Sequence, residues 1–198
     1  MTFLDLCGHE KYLKTTMFGL VGLLPDFCMV IVGANMGVSR MTKEHLGITL
    51  ALKIPLFIVI TKVDIAPKNV YEDTQNTLIK IMRSPSVQKT PIVVKDQDDV
   101  KIFADKLASN KVTPIFTISN VTGEGLPRLK EFLSHLSSRI HISGLFQTPS
   151  DPVEFYIDGI YQVMGVGLVV AGTLKAGTVI PNQIVNLGPD KSGLFKPV

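Results

Sequence analysis

Charged and hydroxyl side chains follow apolar runs at several points of this sequence. They stand in the stretches "DLCGHE", "TKVD" and "SNVTGEG" and comprise, with one amide, carboxylates, an ammonium, an imidazole and hydroxyls: Asp5, His9, Thr61, Lys62, Asp64, Ser119 and Asn120. These groups offer hydrogen bonds and charge to a polar ligand. The plainer alternative for "TKVD" is an ordinary turn at the end of a strand, with a surface ion pair between its Lys and its Asp.

The elements that would position these residues alternate along the chain. Three apolar runs rich in β-branched and aromatic residues are typical of parallel strands covered on both faces: 26–33, 55–61 and 113–119. A fourth, shorter strand is predicted for "TFLD", residues 2–5. Helical periodicity predicts five helices: 11–24, 42–52, 69–82, 98–108 and 126–137. Strand alternating with helix predicts a parallel α/β sheet.

The pattern changes after residue 142. "PVEFYIDGIYQVMGVGLVVAGTLKAGTVI" contains short β-rich runs separated by Gly, which predicts antiparallel hairpins of a barrel. Residues 140–150 contain Ser, Gly and Pro and are predicted to be a linker. We therefore predict an α/β domain over 1–142 and an incomplete β-barrel domain over 143–198.

Composition narrows the class of protein. Of the 198 residues, 45% are hydrophobic and 19% are charged, the balance of a globular protein with a sizeable core. The net charge of +3 permits a phosphate-rich partner without demanding one. No apolar stretch approaches the roughly 20 residues of a membrane span, and the first ten residues lack the features of a secretory signal. We predict a cytoplasmic protein in which Cys7 and Cys28 are reduced thiols; a disulfide or a metal role for them is the alternative.

The polar stretches fall on one edge of the predicted sheet. Ligands of open parallel sheets bind beyond the carboxyl ends of the strands. In chain order, the stretches that follow the strands are "DLCGHE", "ANMG", "TKVD" and "SNVTGEG". All four are therefore expected on the same rim.

In this order, the stretches resemble the GTPase domain of the translation-factor class, over nearly the whole chain. "DLCGHE" resembles the family's DxxGH motif, "TKVD" its guanine-reading NKxD and "SNV" its SAx loop. "IDGIYQVMGVGLVVAGTLKAG" resembles the start of the β-barrel domain that follows the G domain. "GHEKYLKTT" and the Thr in place of Asn are similar to the branch of GTP-binding proteins 1 and 2. The resemblance implies a P-loop-NTPase-like G domain that binds GTP or GDP with Mg²⁺ and hydrolyses GTP.

The resemblance also implies roles for the residues that would surround the base. Asp64 would accept hydrogen bonds from the ring NH and the exocyclic amine of guanine, a pattern that adenine does not offer. Lys62, after Thr61, would lay its methylenes along one face of the base. Ser119 would steady Asp64, and a backbone NH of Asn120 or Val121 would meet the guanine carbonyl. Taken alone, "SNVTGEG" is equally typical of a Gly-bearing loop before a helix.

The phosphate side of the site is implied by "DLCGHE". Asp5 would hold Mg²⁺ through a water, and Gly8 would let its backbone NH approach the γ-phosphate. His9 would orient the attacking water, where other GTPases use Gln. The alternative for His9 is a histidine at a helix start. We assign no chemistry to the other histidines, to Asn35 or to Thr42.

One motif of the family is missing. The sequence contains no GxxxxGK[ST], the loop whose backbone NH groups and Lys cradle the phosphates. The resemblance implies that the chain begins at the family's third strand, as an N-terminally truncated product would. We expect two apolar sheet edges that face a gap, unless "TFLD" slides over to pair with the next strand; otherwise the remnant would fold poorly. We also expect very weak GTP binding and no measurable turnover.

A second function class stays open. A non-catalytic module could use the barrel and helices to contact RNA or a ribosomal partner without nucleotide. An unrelated dinucleotide-binding enzyme is disfavoured, because it would need GxGxxG after a first strand, and "GVG" at 165–167 lies in the second domain.

Overall fold

The computed structural model describes residues 1–138 and 151–198 of the chain. Contacts divide the chain into two compact units, residues 1–142 and 143–198. The predicted linker, residues 140–150, lies outside the described residues. Each unit is described by itself below.

The first unit is built on a four-stranded parallel sheet. Its strands are β1 (Cys28–Gly33), β2 (Leu56–Thr61), β3 (Thr90–Val93) and β4 (Val112–Thr117), in the order β1-β2-β4-β3. A 3-10 helix (Glu10–Tyr12) precedes α1 (Leu13–Gly22), and the other helices are α2 (Arg40–Ala51), α3 (Lys68–Arg83), α4 (Val100–Leu107) and α5 (Leu126–His135). The predicted G-domain-like α/β architecture is confirmed.

Strand β2 forms the centre of the core because all six of its residues are buried. Alternate residues point to opposite faces of a strand, so β2 serves two clusters. On one face, Ile58 and Ile60 pack with Leu78 and Met82 of α3 and with α2. On the other face, Phe57 joins α4 and α5. Each such side chain contributes about 1.5–3 kcal/mol through burial.

At the margins of this sheet, one predicted strand was wrong and one strand was missed. Residues 2–5 form no strand and are exposed; a strand requires a neighbour for its backbone groups, and β1 pairs with β2. The sequence reading also missed β3, a short edge strand that contains Pro91. Proline weakens a strand pattern but is tolerated at a sheet edge, where one side needs no NH donor.

Strand β1 is the other edge strand, and apolar side chains around it are exposed. Ile31 is 58% exposed although it lies in the middle of β1. Further exposed apolar residues lie in α1 and the segments flanking it: Phe3, Leu4, Met17, Phe18, Val21, Leu23 and Leu24. Of the two apolar edges expected from the sequence, the structure therefore shows exposed apolar residues at β1, whereas residues 2–5 form no strand edge. No helix of the described residues is long and apolar enough to cross a membrane.

The second unit contains antiparallel pairs of strands. Strands β5 (Glu154–Val163) and β6 (Gly167–Ala176) form a long hairpin, and β7 (Asn186–Leu187) pairs with β8 (Lys196–Pro197). Lys175 of β6 donates hydrogen bonds of 3.0 Å to both Glu154 and Tyr156 across the hairpin. The predicted antiparallel sheet after the parallel one is confirmed. The domain boundary at 142 and the barrel identity of this unit stay predictions.

Candidate nucleotide-binding site

The connections that follow β2 and β4 leave these neighbouring strands toward opposite faces of the sheet. Helix α3, which follows β2, packs on one face of the sheet, whereas α5, which follows β4, packs on the other. The two strands are neighbours, with Ile60 opposite Thr117. Chains that leave adjacent strand ends in opposite directions open a crevice, and ligands of open α/β sheets bind there. The loops that flank this crevice carry "TKVD" and "SNVTGEG".

The loop after β2 exposes both of its charged residues. Thr61 is buried at the end of the strand, and its hydroxyl donates to the Val32 carbonyl at 3.5 Å. Lys62 has a positive φ of 61°, and the turn closes with a hydrogen bond from the Ile65 NH to the Lys62 carbonyl at 3.4 Å. A left-handed conformation costs a non-glycine residue about 1–2 kcal/mol, and such strain is concentrated at functional sites.

Side chains of the same loop point in two directions, some into the core and others into solvent. Val63 and Ala66 pack against the core cluster below the loop, whereas Lys62 and Asp64 are exposed. Within the described residues, neither Lys62 nor Asp64 forms an ion pair. The plainer interpretation, a surface ion pair within the turn, is therefore not what this geometry contains. Both charges are available to a ligand.

The loop after β4 is closed on itself by Ser119. This residue is fully buried, and its Oγ accepts hydrogen bonds from the NH groups of Val121 at 3.2 Å and Thr122 at 3.1 Å. Its own NH donates to the Glu124 carbonyl, and its carbonyl accepts from the Gly123 NH, both at 3.0 Å. Four hydrogen bonds thus hold the loop before any ligand is present.

These bonds change the predicted roles within the loop. Among the described residues, Ser119 bonds to its own loop and shows no hydrogen bond to Asp64, so its predicted role of steadying that carboxylate gains no contact here. Of the two backbone NH groups proposed for the guanine carbonyl, that of Val121 is already engaged by Ser119, whereas the described contacts give that of Asn120 no acceptor. Asn120 therefore becomes the better candidate. The Val121 side chain is 85% exposed beside it.

Gly125 is a residue of this loop to which the sequence reading gave no role. Its φ is +71°, and a Cβ built on it would lie 2.0 Å from the Thr117 carbonyl oxygen. Only glycine fits where the loop passes this close to the end of β4. The signal in the sequence was the pair of glycines in "TGEG", which marks a tight turn without telling which of the two is sterically required.

The predicted phosphate-side residues lie in an exposed segment. Asp5 and Gly8 are exposed, and a Cβ built on Gly8 would meet nothing within 4 Å. His9 caps the 3-10 helix, because its Nδ1 accepts the Lys11 NH at 3.1 Å. Neutral His9 therefore carries its proton on Nε2, and its ring lies edge-on to Tyr12. This contact fits the helix-start alternative and leaves Nε2 free of it.

The same segment does not by itself form a metal site. Among residues 1–138 and 151–198, no group of three or more His, Cys, Asp or Glu side chains could hold a metal ion. Asp5 offers a single carboxylate, and Mg²⁺ usually takes its remaining ligands from water and substrate phosphates. The residues present therefore do not fit a resident Mg²⁺ without a nucleotide.

Comparison with known proteins places this geometry in a family. Residues 1–139 match the family model described as "Elongation factor Tu GTP binding domain". The chain belongs to this family. In this chain, a parallel sheet is followed by antiparallel strand pairs.

The relatives of this elongation factor Tu-type domain are longer proteins. The chain is 48% identical over 198 residues to GTP-binding protein 1 of Xenopus laevis, covering 100% of the chain and 30% of the relative. It is 42% identical over 196 residues to GTP-binding protein 2 of Mus musculus, covering 98% and 33%. The chain thus spans about a third of the length of these curated relatives.

Solved structures support the fold. Translation elongation factor SelB from Methanococcus maripaludis, in complex with the GTP analogue GppNHp, has a TM-score of 0.58 and 22% identity, covering 96% of this chain and 36% of that one. GDP-bound aIF5B from Aeropyrum pernix has a TM-score of 0.54 and 18% identity, covering 88% and 31%. These structures show the fold alone; the family model and the relatives GTP-binding protein 1 and 2 confirm the predicted membership of the translational GTPase class.

Proposed function

We propose that this chain recognises the guanine base of a nucleotide at the crevice between β2 and β4, as part of a protein that binds and hydrolyses GTP. Asp64 accepts the ring NH and the exocyclic amine, Lys62 covers one face of the base with its methylenes, and the Asn120 NH donates to the carbonyl oxygen. Thr61, Ser119 and Val121 hold the two loops in place around the base. The single observation that carries the proposal is the position of both loops at the point where the sheet connections diverge.

The electrostatic state of the crevice supports this proposal. Asp64 is exposed and makes no described ion pair, so its carboxylate keeps both oxygens for a ligand. A charge-assisted hydrogen bond contributes about 1.5–3 kcal/mol. Adenine presents an acceptor where guanine presents the ring NH, so the same carboxylate discriminates between them.

On the phosphate side we propose more limited roles. His9 orients the attacking water through the nitrogen that does not accept the Lys11 NH, and Gly8 leaves its backbone open to the γ-phosphate. Asp5 contacts Mg²⁺ through a water when a nucleotide brings the ion. Because GxxxxGK[ST] does not occur in these 198 residues, we expect GTP binding well weaker than micromolar and no measurable turnover by this chain. Submicromolar affinity for a fluorescent GTP analogue would overturn that expectation.

A titration with mononucleotides tests the base recognition directly. Guanosine and adenosine monophosphate are added to the isotope-labelled chain at millimolar concentrations, and the amide resonances of residues 62–65 and 119–124 are followed by NMR. We expect saturable shifts with the guanine nucleotide and at least tenfold weaker binding of the adenine nucleotide, since hydrogen bonds to the carboxylate are lost. Equal shifts with both nucleotides, or shifts confined to other regions, would refute the proposal.

The variant Asp64→Asn sharpens the test. Its side-chain NH₂ would face the exocyclic amine of guanine, so binding of guanosine monophosphate should weaken by more than tenfold. Xanthine carries a carbonyl at that position, and binding of xanthosine monophosphate should strengthen. Asp73→Asn, an exposed change on α3, is the matched control and should alter neither affinity.

The proposal also covers the cellular location and the partners, in less detail than the site. A cytoplasmic location and an RNA or ribosomal partner follow from the resemblance to translation factors. A curated relative, 30% identical over 197 residues, is the selenocysteine-specific elongation factor of Haemophilus influenzae. The chain covers 26% of that relative, so these assignments concern the longer protein.

A further inference from the structure

A shallow groove of about 430 Å³ runs between α2 and the carboxyl-terminal end of α3. Helix α2 contributes one face to the groove, with residues at the spacing i, i+3, i+4 and i+7: Lys43, Leu46, Gly47 and Leu50. The last turn of α3 contributes Lys80 and Ile81. Lys62 and Asp64 precede the opposite end of this helix, so the groove is separate from the proposed base site.

The floor of the groove is apolar and incompletely buried. Leu46 lies at its base and is 1% exposed. Three further side chains, Leu50, Ile81 and Val87, are half-buried and pack on the core cluster beneath the groove. Each of them therefore has one side in the core and another side that is open to solvent in the groove. A partner that covered this surface with its own apolar side chains would gain the free energy of their burial.

Gly47 lies in the groove at an exposed position in the interior of α2. Apart from proline, glycine is the least favourable residue for a helix interior, because it loses the most backbone entropy on folding. Close packing does not require it here, since a Cβ built on Gly47 would meet nothing within 4 Å. The missing side chain instead leaves room for another chain to approach the backbone of α2 at this point.

Two cations flank the apolar floor, one from each helix. Lys43 and Lys80 are exposed, and within the described residues neither forms an ion pair. Among the described residues that line the groove, none is acidic. Glu44, next to Lys43 in the sequence, is already paired with Arg40 on α2. The groove thus combines an apolar floor with uncompensated positive charge, which is complementary to an acidic and apolar partner.

We propose that this groove binds an amphipathic helix of a partner protein, with apolar side chains toward the floor and carboxylates toward Lys43 and Lys80. A helix matches the length of the groove. From Lys43 to Leu50, α2 rises about 10 Å, and apolar residues at i, i+4 and i+7 of a bound helix span the same distance. At Gly47 the bound helix approaches the α2 backbone closely. The inference does not depend on nucleotide binding.

The probe is a synthetic, fluorescein-labelled helical peptide of about 15 residues, with leucine at i, i+4 and i+7 and glutamate on both flanks. Its binding to the 198-residue chain is followed by fluorescence anisotropy. We expect saturable binding that weakens by about tenfold when every glutamate of the peptide is replaced by lysine. Added salt should weaken the binding of the acidic peptide and not that of the lysine peptide, because it screens the attraction between opposite charges.

Charge reversal tests the two lysines. Lys43→Glu combined with Lys80→Glu should weaken binding of the acidic peptide by about tenfold or more, because two attractions become repulsions. Lys101→Glu combined with Lys106→Glu is the matched control, since it changes the net charge equally at exposed positions on α4. This control should leave the affinity within about twofold of the wild-type value.

Gly47→Leu distinguishes a role in binding from a role in the fold. Leucine favours a helix more than glycine does and projects here into open space, so the urea midpoint should stay at or above the wild-type value. The same side chain occupies the groove, so the affinity for the acidic peptide should fall by at least about tenfold. A glycine required only by the fold would show the reverse, a lowered midpoint with unchanged affinity.

The inference would be overturned by the absence of saturable binding at millimolar peptide or by equal affinity for the acidic and the lysine peptide. It would also be overturned by an affinity that survives either Gly47→Leu or the double charge reversal, which would place the peptide on other exposed apolar residues, such as those of α1. Self-association of the chain that these variants abolish, measured by analytical ultracentrifugation, would assign the groove to a second copy of the chain and overturn the inference as well.

Discussion

The loop after β4 and the segment before α1 both carry predicted nucleotide-binding residues, but in contrasting surroundings. Ser119 is fully buried and makes four hydrogen bonds within its loop. Asp5 and Gly8 are exposed, and the segment is held at two points: Leu6 packs on Gly19, and Thr16 donates to the Cys7 carbonyl at 2.6 Å.

The difference teaches where the fold itself specifies a site. The base-side loops leave adjacent buried strands, so the core that orders the sheet also orders the loops. The residues of "DLCGHE" follow no strand in this chain, so no sheet hydrogen bond fixes their direction. Ligand-binding geometry is therefore preorganised on one side of the proposed site and not on the other.

The largest expected effect is a loss of unfolding free energy, and it should differ between the core beneath the β4 loop and the region around α1. Phe132 is fully buried and lies edge-on to Phe57, with ring centroids 5.0 Å apart, below the strands of the base side. Phe132→Ala should lower the free energy of unfolding by about 3–5 kcal/mol, through lost burial and the cavity that remains. Phe18→Ala, at a side chain that is 54% exposed in α1, should change it by less than about 0.5 kcal/mol. Urea denaturation followed by circular dichroism measures both.

Equal losses of unfolding free energy in Phe132→Ala and Phe18→Ala would contradict the proposed difference in packing between the two regions. They would mean that α1 contributes to the same cooperative core as β2 and β4, despite its exposed apolar residues.

A second, smaller effect concerns the glycines of the two regions. Gly125→Ala should destabilise by at least about 2 kcal/mol, because the residue combines a positive φ with a Cβ that would overlap the Thr117 carbonyl. Gly8→Ala meets nothing within 4 Å and should be neutral or stabilise by up to about 1 kcal/mol. The measurement is the shift in urea midpoint at constant slope.

Gly123→Ala is the control within the Ser119 loop. It shares the positive φ but meets nothing within 4 Å, so its cost should be the conformational part alone, about 1–2 kcal/mol. If Gly125→Ala cost no more than Gly123→Ala, the close approach to β4 would not be what closes the loop.

The sequence predicted the buried strands of the sheet correctly and the elements at its margins poorly. The runs that became β2 and β4 are apolar nearly throughout because helices cover both faces, so pattern alone located them. The run that became β1 carries the same pattern, although Ile31 in its middle is exposed. β3 escaped because four residues with a proline carry too weak a signal, and "TFLD" misled because its apolar residues have no strand beside them. Apolar composition shows what could be buried, and pairing decides whether it becomes a strand.

For the candidate site, too, the sequence predicted the location of residues but not their contacts. That Thr61, Lys62, Asp64 and Ser119 would lie on the same rim of the sheet followed from the order of elements, whereas the direct pairing of β2 with β4 came from the structure alone. The actual partners of Ser119 and the left-handed φ of Lys62 depend on backbone conformation and on contacts within the loops. No motif spacing encodes these features.

The smallest expected effect concerns Lys89, whose burial is unfavourable for its charge but allows a hydrogen bond to Asn110. Lys89 is only 8% exposed, and its ammonium donates to the Asn110 side chain, which in turn donates to the Lys53 carbonyl at 3.2 Å. Burial lowers the pKa of Lys89 from its usual value of 10.5. Lys89→Met removes this desolvation cost but leaves Asn110 without its donor, so at pH 7 the change in stability should be within about 1 kcal/mol.

The pH dependence identifies the two opposing contributions. Between the lowered pKa of folded Lys89 and 10.5, the unfolded chain binds more protons than the folded one, so this residue makes stability rise with pH in that window. Below the lowered pKa both states are protonated, and the cost of the buried charge is fully present. The stability of the wild type relative to Lys89→Met should therefore increase as the pH rises toward 10.5. A difference between wild type and Lys89→Met that does not vary with pH would show that the Lys89 ammonium remains effectively solvated, and that the packing on this side of the sheet is looser than its burial indicates.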